Sequence, residues 1–151
     1  MVSLRLAGPE DCRSVAHIEY LSIQHEPRLY PLHLGQDDFE RIWRERLNSR
    51  RYTTLIASSN EVDCGLLALV RQEQDGFIQA LYVHPDYFRR KVATSLILTA
   101  EELLRQRGYR RLLLNVEPQN HQAIALYRSL SFTGNRPEHA THLIRMLKQL
   151  Q

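Results

Sequence analysis

The chain has 151 residues, of which 43% are hydrophobic and 25% are charged, and its formal net charge is +3. These values suit one folded domain over residues 1–151 and exclude an intrinsically disordered chain. The basic residues are 18 arginines and two lysines, and they alternate with acids on predicted helices. We therefore expect solvated helix faces and no nucleic-acid partner.

Two features of the sequence bear on the location of the protein. The N-terminal residues lack the apolar stretch of a secretory signal, and no segment approaches the ~18 consecutive apolar residues of a membrane-spanning helix. Cys12 and Cys64 stand apart without the spacing of a metal site, which is typical of reduced thiols. We expect a cytoplasmic protein with no membrane partner.

The first half of the chain predicts one short strand, two helices and an antiparallel meander. Residues 2–7 alternate as a strand, and Pro9 then suits the first turn of a helix that runs to about His25. An irregular connection precedes a second helix, which starts near Asp37 or Asp38. Three strands follow with the sequences TTLIAS, GLLALVRQ and FIQALYVH, separated by segments typical of hairpin turns.

The second half of the chain alternates helices and strands. An apolar stripe repeats at helical spacing from Val92 to Arg107, and Gly108 occupies the position of a C-cap. The mostly apolar segment RRLLLNV follows, which is typical of a strand inside a sheet. A helix from Asn120 to Leu130 and a last strand, THLIRMLK, complete the predicted order β-α-α-β-β-β-α-β-α-β.

Positive charge is concentrated at the start of the helix that begins at Val92. Arg89, Arg90 and Lys91 directly precede it in the segment VHPDYFRRKVATSLI. A helix N-terminus carries unpaired N–H groups and the positive end of the helix dipole. This combination predicts a site for an anion.

Two segments of the chain resemble the acyl-CoA-binding core of the GNAT acetyltransferase superfamily. The first is the loop 88–93, which corresponds to the family pattern Gln/Arg-x-x-Gly-x-Gly/Ala but has Phe88 and Lys91 at its first and fourth positions. The second is NHQAIALYRSLSF, which matches Asn-x-x-Ala-x-x-Leu-Tyr followed by Gly-Phe, with Ser131 in place of the glycine. The order of elements is also similar to the family. The resemblance implies an α/β fold with a mostly antiparallel mixed sheet, a central splayed parallel pair, and helices on both faces.

The resemblance further implies that this core binds acetyl-CoA as a co-substrate. In the family, the backbone of the strand before the loop holds the pantetheine arm, the loop amides surround the pyrophosphate, and the asparagine contacts the arm. Tyr127 is implied as the catalytic acid that protonates the departing thiolate. Lys91 keeps its N–H but adds a Cβ that can crowd the phosphates. The residues implied in donor binding are Leu81, Tyr82, Val83, Phe88, Arg89, Arg90, Lys91, Val92, Ala93, Thr94 and Asn120.

A general base is not evident, because Gln79 and Ala80 stand where many family members carry a glutamate. The candidates are His25, Glu26 and Glu117, with a water-mediated route as the alternative. A lysine-like amine with a pKa of ~10.4 is only about 1 part in 2500 neutral at pH 7. Without a base, a less basic amine is therefore the easier substrate.

The acceptor pocket is expected between the connection of the first two helices and the final strands. His25 and Tyr30 are the candidates for contact with the substrate. Further side chains expected to border the pocket are Tyr20, His33, His139 and His142. None of the histidines has ligand spacing, so we expect no metal.

We expect an N-acetyltransferase that moves an acetyl group from acetyl-CoA to a primary amine of a small molecule or peptide. Homodimers are common in the family that the chain resembles. The alternative is a non-catalytic protein of the same fold, either a regulatory or interaction module or an acyl-CoA sensor. The changed loop positions and the missing carboxylate favour this alternative, whereas the intact Asn120–Tyr127 segment favours the enzyme.

Overall fold

The computed structural model describes residues 2–26, 33–134 and 142–150. Within these ranges, six strands form one mixed sheet whose spatial order follows the chain, which confirms the predicted fold class. The strands are β1 (Ser3–Leu6), β2 (Tyr52–Ser59), β3 (Val62–Gln72), β4 (Asp75–Val83), β5 (Arg111–Val116) and β6 (Ile144–Gln149). The helices are α1 (Cys12–His25), α2 (Gln36–Leu47), α3 (Val92–Gln106) and α4 (His121–Ser129), with short 3-10 helices at Pro9–Asp11 and Pro85–Tyr87.

The helices begin and end where the sequence provides caps. The N–H of Gly8 donates to Asp11 at 2.9 Å, and the N–H of Gly35 donates to Asp38 at 2.8 Å. Each carboxylate closes an N-terminal turn and places negative charge at the positive end of a helix. α3 ends two residues before Gly108, whose φ of +79° is the left-handed conformation expected at a C-cap.

Each face of the sheet is covered by a pair of helices. α3 and α4 pack on one face in a cluster that includes Leu96, Ile97 and Leu114. α1 and α2 pack on the other face in a cluster that includes Val15, Trp43 and Leu66, and we call this second cluster the α1–α2 core. The predicted arrangement of helices on both faces is therefore confirmed. None of the helices in the described ranges is long and apolar enough to cross a membrane.

The sheet opens between β4 and β5, its only parallel pair in the described ranges. The two strands pair from Asp75–Ile78 to Arg111–Leu114 and no further. Directly after Ile78, the register of β4 against β3 shifts, so that Gln79 is an extra residue in β4. A bulge of this kind bends its strand and increases the local twist. The remainder of β4, up to Val83, diverges from β5 and leaves a gap, as the resemblance predicted.

One expectation about the charged helix faces is wrong. We expected the charged residues of the helices to lie on solvated faces, but only 3% of Glu101 in α3 is exposed. Lys148 of β6 donates to both of its carboxylate oxygens, at 2.9 and 3.0 Å. A buried charge requires such a partner, and this partner is 47 residues away in the chain.

Candidate active site

A cleft of about 1110 Å³ opens where the ends of α1 and β4 meet the starts of α3 and α4. All the residues predicted to bind the donor line this cleft except Arg90, and His25 and Tyr127 line it as well. The structure therefore brings together the predicted residues from segments that are far apart in the sequence. The full lining is Ser22, His25, Glu26, Leu81, Tyr82, Val83, Tyr87, Phe88, Arg89, Lys91, Val92, Ala93, Thr94, Gln119, Asn120, His121, Gln122, Ala123, Leu126 and Tyr127.

The loop before α3 adopts left-handed backbone conformations without glycine. Arg89 has a φ of +64° and Lys91 has a φ of +61°. For a residue with a Cβ this conformation costs roughly 1–2 kcal/mol, which is why glycine usually occupies such positions. Lys91 therefore takes the backbone shape that a glycine would take, and it serves as the N-cap residue of α3. Its side chain is exposed to solvent.

The first turn of α3 presents unpaired backbone donors to the cleft. Ser95 N–H donates to the carbonyl of Lys91 at 3.0 Å and is the first amide to close the helical pattern. The amides of the three preceding residues, Val92, Ala93 and Thr94, have no partner one turn earlier in the helix. These amides, the helix dipole and the exposed cations of the loop make this end of the cleft suited to a polyanion.

Two loop side chains have packing contacts of their own. The ring of Phe88, which is 39% exposed, contacts the ring of His25 edge-on, with the ring centroids 5.0 Å apart. This contact joins the loop to the end of α1 across the cleft wall. The guanidinium of Arg90, which does not line the cleft, lies 5.2 Å from the ring centroid of Tyr87.

The end of β4 exposes backbone groups to the gap. His84 N–H donates to the carbonyl of Cys64 in β3 at 2.8 Å. Because backbone groups of an antiparallel strand alternate in direction, Leu81 and Val83 direct theirs away from β3 and towards the gap. The carbonyl of Val83 accepts a 2.7 Å hydrogen bond from the hydroxyl of Ser22. The amides of Leu81 and Val83 face the opening of the cleft.

Asn120 and Tyr127 lie on the other side of the gap. The side chain of Asn120 caps α4, since its Oδ1 accepts a 3.2 Å hydrogen bond from the N–H of Ala123. Tyr127 packs with its ring tilted against that of Phe132, at a centroid distance of 5.8 Å. Both residues therefore have a structural role, and both also border the cleft.

A second, smaller cavity of about 190 Å³ opens through the same gap. Four residues border both cavities: Leu81, Tyr82, Asn120 and Tyr127. The polar residues that border only the smaller cavity are Gln79, Asn115 and Glu117. Asn115 alternates with two apolar residues that belong to the cluster under α3, so it faces the opposite side of the sheet. The gap thus connects the large cleft with a polar opening on the far face, which we call the far opening.

Charged partners surround the far opening. The carboxylate of Glu117, which is partly buried, lies 3.2 Å from Nε2 of His142. The guanidinium of Arg145 donates from Nε to Asn115 Oδ1 at 2.7 Å and lies over the ring of Phe77. Of the three predicted candidates for a base, Glu117 borders the far opening, whereas His25 and Glu26 border the large cleft.

Glu19 is a buried carboxyl beside the gap that the sequence analysis did not single out. Only 7% of the residue is exposed, and Trp43 Nε1 donates to Glu19 Oε1 at 2.7 Å. Tyr82 lies near this carboxyl and favours its ionised form. Burial raises the pKa of Glu19, although Trp43, Tyr82 and the positive charge of Arg46 oppose the shift. The helical period of α1 indicates this burial, because Glu19 belongs to a buried series along one face of the helix. The series is Cys12, Val15, Ala16, Glu19, Ser22 and Ile23.

The other residues predicted to border the acceptor pocket do not come together in one place in the described part of the chain. His33 and His142 are exposed, and Tyr20 is half-buried against Phe39, with the ring centroids 6.3 Å apart. Tyr30 and His139 lie outside the residues that the structure describes. Among those that it does describe, no group of three or more His, Cys, Asp or Glu side chains is arranged to hold a metal ion.

Comparisons with known proteins connect this geometry to a family. A sequence profile of the Acetyltransferase (GNAT) family matches residues 16–132, more than half of the chain. The chain is 25% identical over 153 residues to the L-amino acid N-acyltransferase MnaT of Escherichia coli (strain K12), a match that covers 97% of this chain and 89% of that protein. It is 24% identical over 137 residues to the L-methionine sulfoximine/L-methionine sulfone acetyltransferase of Salmonella typhimurium (strain LT2), with 87% and 80% covered.

Solved structures show the same fold. The PaiA N-acetyltransferase from Thermoplasma acidophilum, in complex with coenzyme A, superimposes with a TM-score of 0.78 and 18% sequence identity, covering 99% of both chains. At this level of identity the similarity concerns the fold.

Proposed function

Since this chain belongs to the Acetyltransferase (GNAT) family, we propose that it is an N-acetyltransferase that transfers the acetyl group of acetyl-CoA to a primary amine. One observation carries this proposal. The cleft combines the open backbone edge of β4, the free first turn of α3 and a loop that keeps left-handed geometry although it lacks glycine. A thioester with a polyanionic tail suits such a cleft.

The donor would be held mainly by backbone groups. The amides of Val92, Ala93 and Thr94 would bind the pyrophosphate, with Arg89 and Lys91 adding positive charge. The exposed edge of β4 at Leu81–Val83 would bind the pantetheine arm in the manner of an added strand. Because the phosphate contacts come from amides, the replacement of a glycine by Lys91 removes none of the donors.

The chemistry would take place in the gap, where the two cavities meet. The nitrogen of the acceptor attacks the thioester carbonyl carbon, and the developing oxyanion accepts hydrogen bonds from β4 amides that face the gap. The C–S bond then breaks, the departing thiolate takes a proton from the hydroxyl of Tyr127, and the proton that the attacking nitrogen loses restores this hydroxyl. Tyr127 is suited to this role because it borders both cavities.

The acceptor amine has to lose a proton before it attacks. An α-amine with a pKa of ~8 needs roughly 1.4 kcal/mol to be neutral at pH 7, whereas a lysine-like amine needs roughly 4.6 kcal/mol. The two curated relatives are named for L-amino acids and for derivatives of methionine. We therefore propose that the acceptor is the α-amine of an amino acid or a close derivative, which enters through the far opening.

Three further expectations from the sequence belong to this proposal. The chain forms a single acetyltransferase domain over residues 1–151. It acts in the cytoplasm, where its two free buried cysteines, Cys12 and Cys64, would stay reduced. It forms a homodimer, as is common in the family, and light scattering of the purified protein measures this directly.

Calorimetric titration with acetyl-CoA tests the proposal for the donor. We expect micromolar binding by the wild type and weaker binding by Arg89→Gln, since Arg89 borders the cleft. Arg107→Gln is the matched control, because Arg107 is an exposed cation at the opposite end of α3. Absence of binding by the wild type would contradict the proposal. Binding without release of free thiol, in the presence of L-amino acids, would indicate an acyl-CoA sensor.

A further inference from the structure

We propose that Glu117 is the base that removes a proton from the acceptor amine, and that His142 positions its carboxylate. This inference rests on the proposed function and names the residue through which the amine becomes neutral. Glu117 contacts the amine in this scheme and is therefore a catalytic residue. His142 acts only through Glu117 and is a positioning residue.

The location of Glu117 at the gap is the first argument. Glu117 borders the smaller cavity, which shares Asn120 and Tyr127 with the large cleft. It directly follows β5, so it lies across the gap from the end of β4. A carboxylate at this position lies beside the route by which we expect the acceptor to reach the thioester. Its negative charge also attracts an ammonium group.

The backbone around Glu117 is the second argument. Glu117 precedes Pro118, and the residue before a proline is restricted to extended backbone. The alternation of β5 therefore continues past Val116, which places Glu117 on the same face as Asn115. The carbonyl of Glu117 accepts a 3.0 Å hydrogen bond from the N–H of Asn120, the N-cap residue of α4. The proposed base is thus fixed to the start of α4.

The contact with His142 is the third argument. Nε2 of His142 lies 3.2 Å from Oε2 of Glu117, and an imidazole with its proton on Nε2 donates to a carboxylate. Among the residues that the structure describes, no side chain forms a hydrogen bond with the other oxygen, Oε1. The side chain of His142 is 77% exposed and that of Glu117 is 26% exposed. The contact therefore holds one carboxylate oxygen and leaves the other for the substrate.

The other carboxyl and imidazole groups near the gap are less well placed for this role. His25 packs against Phe88 of the loop before α3, and Glu26 is its neighbour at the end of α1. Both border the large cleft, which the donor would fill, and neither borders the smaller cavity. The buried carboxyl of Glu19 borders neither cavity. Of these candidates, Glu117 is the one on the acceptor side.

One proton moves in the proposed step. An N–H bond of the acceptor ammonium breaks, and its proton forms an O–H bond with Oε1 of Glu117. The electron pair of the broken bond stays on the nitrogen, which then attacks the thioester carbonyl carbon. The proton that the nitrogen loses after the attack is a second one, and it restores Tyr127. After the product leaves, the neutral carboxylic acid of Glu117 gives its proton to water at the far opening.

The Glu117→Gln variant tests the base, with acetyl-CoA and L-amino acids as the substrates. Glutamine has nearly the same shape and still accepts a hydrogen bond from His142, so the variant removes the basic carboxylate. We expect kcat/KM for the amino acid at pH 7 to fall by about 10²-fold, the size of a typical acid–base contribution. The Kd of acetyl-CoA should stay at the wild-type value.

The matched control is Glu40→Gln. The side chain of Glu40 is 18% exposed and lies 3.8 Å from the exposed guanidinium of Arg13, so it is also a partly buried carboxylate beside an exposed cationic side chain. Glu40 borders neither cavity. This variant should therefore keep the wild-type kcat/KM.

The pH dependence of the loss distinguishes a base from a merely structural group. The neutral fraction of an α-amine with a pKa of ~8 rises from about a tenth at pH 7 to about nine tenths at pH 9. Because a neutral amine needs no base, the loss in Glu117→Gln should be about tenfold smaller at pH 9 than at pH 7. The other titratable or charged groups around the far opening are Tyr82, Tyr127, His142 and Arg145. They are the same in both proteins, so their titration cancels in the ratio.

Two variants test the positioning role of His142. His142→Gln keeps a donor N–H beside Glu117, whereas His142→Leu has none. We expect His142→Leu to lower kcat/KM by roughly tenfold, the effect of one charge-assisted hydrogen bond, and His142→Gln to stay within a few-fold of the wild type. In a Glu117→Gln background, His142→Leu should have no further effect, because His142 acts only through the carboxylate. An equal loss in both backgrounds would show that His142 does not act through Glu117.

The outcomes separate this inference from the proposed function. A Glu117→Gln variant with wild-type kcat/KM at pH 7 would overturn the inference and leave the proposed function intact. A loss that is equal at pH 7 and pH 9, or that comes with weaker binding of acetyl-CoA, would assign a merely structural role to Glu117. A wild type that releases no thiol with any L-amino acid would overturn both.

Discussion

The hydroxyl of Ser22 donates a 2.7 Å hydrogen bond to the carbonyl oxygen of Val83, which joins the last turn of α1 to the end of β4. This bond occupies one of the backbone groups that the divergence of β4 from β5 would otherwise leave exposed in the gap. It also fixes the helix that carries Glu19 relative to the strand that carries Tyr82. The edge available to a pantetheine arm is thus reduced to Leu81 and the amide of Val83.

The Ser22→Ala variant tests the contribution of this hydrogen bond between α1 and β4. We expect a loss of about 1 kcal/mol in the free energy of unfolding, since the carbonyl of Val83 loses its partner. We also expect an increased KM for acetyl-CoA, because the edge of β4 is no longer held in place. Ser129→Ala is the control, since Ser129 Oγ donates to the carbonyl of Leu126 on an exposed part of α4. An unchanged KM in Ser22→Ala would show that this hydrogen bond does not contribute to the donor site.

The backbone conformation of Lys91 is tested by a pair of variants that differ in one respect. Lys91→Gly and Lys91→Val both remove the charge, but only glycine tolerates a φ of +61° without strain. We expect Lys91→Gly to bind acetyl-CoA within a few-fold of the wild type. Lys91→Val should bind roughly tenfold more weakly, because a β-branched side chain is more strained at this φ than that of lysine, and the added strain is relieved only by distortion of the loop.

A distant residue controls for general strain in the Lys91 experiment. Glu61 has a φ of +66° in the turn between β2 and β3, away from both cavities. Glu61→Val should therefore lower the stability, as Lys91→Val does, while its affinity for acetyl-CoA stays at the wild-type value. Equal donor affinity for Lys91→Gly and Lys91→Val would contradict the view that the left-handed geometry forms the site.

The role of Tyr127 is tested by removal of its hydroxyl. Tyr127→Phe should lower kcat by about 10²-fold while the Kd of acetyl-CoA is unchanged, because the hydroxyl is needed only when the thiolate leaves. Tyr109→Phe is the matched control, since Tyr109 packs against the same cluster under α3 but borders neither cavity. A Tyr127→Phe variant with wild-type kcat would show that the thiolate takes its proton from elsewhere.

Asp63 links stability to pH at the junction of β1, α1 and β3. The hydrogen bond from Arg5 lowers the pKa of Asp63 to about 2, and hydroxyls of Ser14 and Ser58 contribute. A lowered carboxyl pKa stabilises the fold above the unfolded value of ~3.9, and this stability is lost as the pH falls from there towards 2.

The Asp63→Asn variant measures this contribution. We expect it to lower the free energy of unfolding by about 1–2 kcal/mol at pH 7, a value reduced by solvent screening because the Arg5 side chain is 44% exposed. Urea denaturation should show a constant difference from the wild type between pH 8 and pH 5, and a smaller one below about pH 4. A difference that does not depend on pH would contradict the charge-based explanation.

The ionisation of Glu19 affects the pH dependence of stability in the opposite direction to that of Asp63. Its folded-state pKa is raised by burial, so the folded protein binds this proton more tightly than the unfolded chain does. The contribution of Glu19 to stability is therefore full below the unfolded pKa of ~4.3 and is lost as the pH rises through the folded pKa. Glu19→Gln should accordingly have a higher Tm than the wild type at pH 8 and a similar Tm at pH 4. A lower Tm at pH 8 would indicate that the charged hydrogen bonds outweigh burial.

Much of the fold could be predicted because local patterns and tertiary structure agree. The apolar stripe from Val92 to Arg107 has the helical period, and Gly108 ends it in the left-handed conformation that a C-cap requires. The alternation and turn segments between Tyr52 and Val83 predicted three antiparallel strands, which pair as expected. The segments that line the large cleft were also singled out from the sequence, because they combine local charge, helix starts and a recognisable spacing.

The remaining features depend on contacts between distant parts of the chain. The burial of Glu101 depends on Lys148, and the burial of Glu19 depends on Trp43, which is 24 residues away. Sequence patterns treat glutamate as exposed unless such a partner is known. The left-handed φ of Lys91 could not be predicted from the sequence for a different reason. Glycine is the usual indicator of that conformation, and the loop has none. The loop adopts the left-handed backbone conformation although it contains no glycine.

The most direct test of the central claim is release of free thiol from acetyl-CoA by the purified wild-type protein, measured with each L-amino acid and with no acceptor. Mass spectrometry of the same reactions identifies the acetylated product. We predict thiol release that depends on at least one amino acid and equals the amount of N-acetylated product. Binding of acetyl-CoA without acceptor-dependent thiol release would contradict the assignment of this cleft as the active site of an N-acetyltransferase.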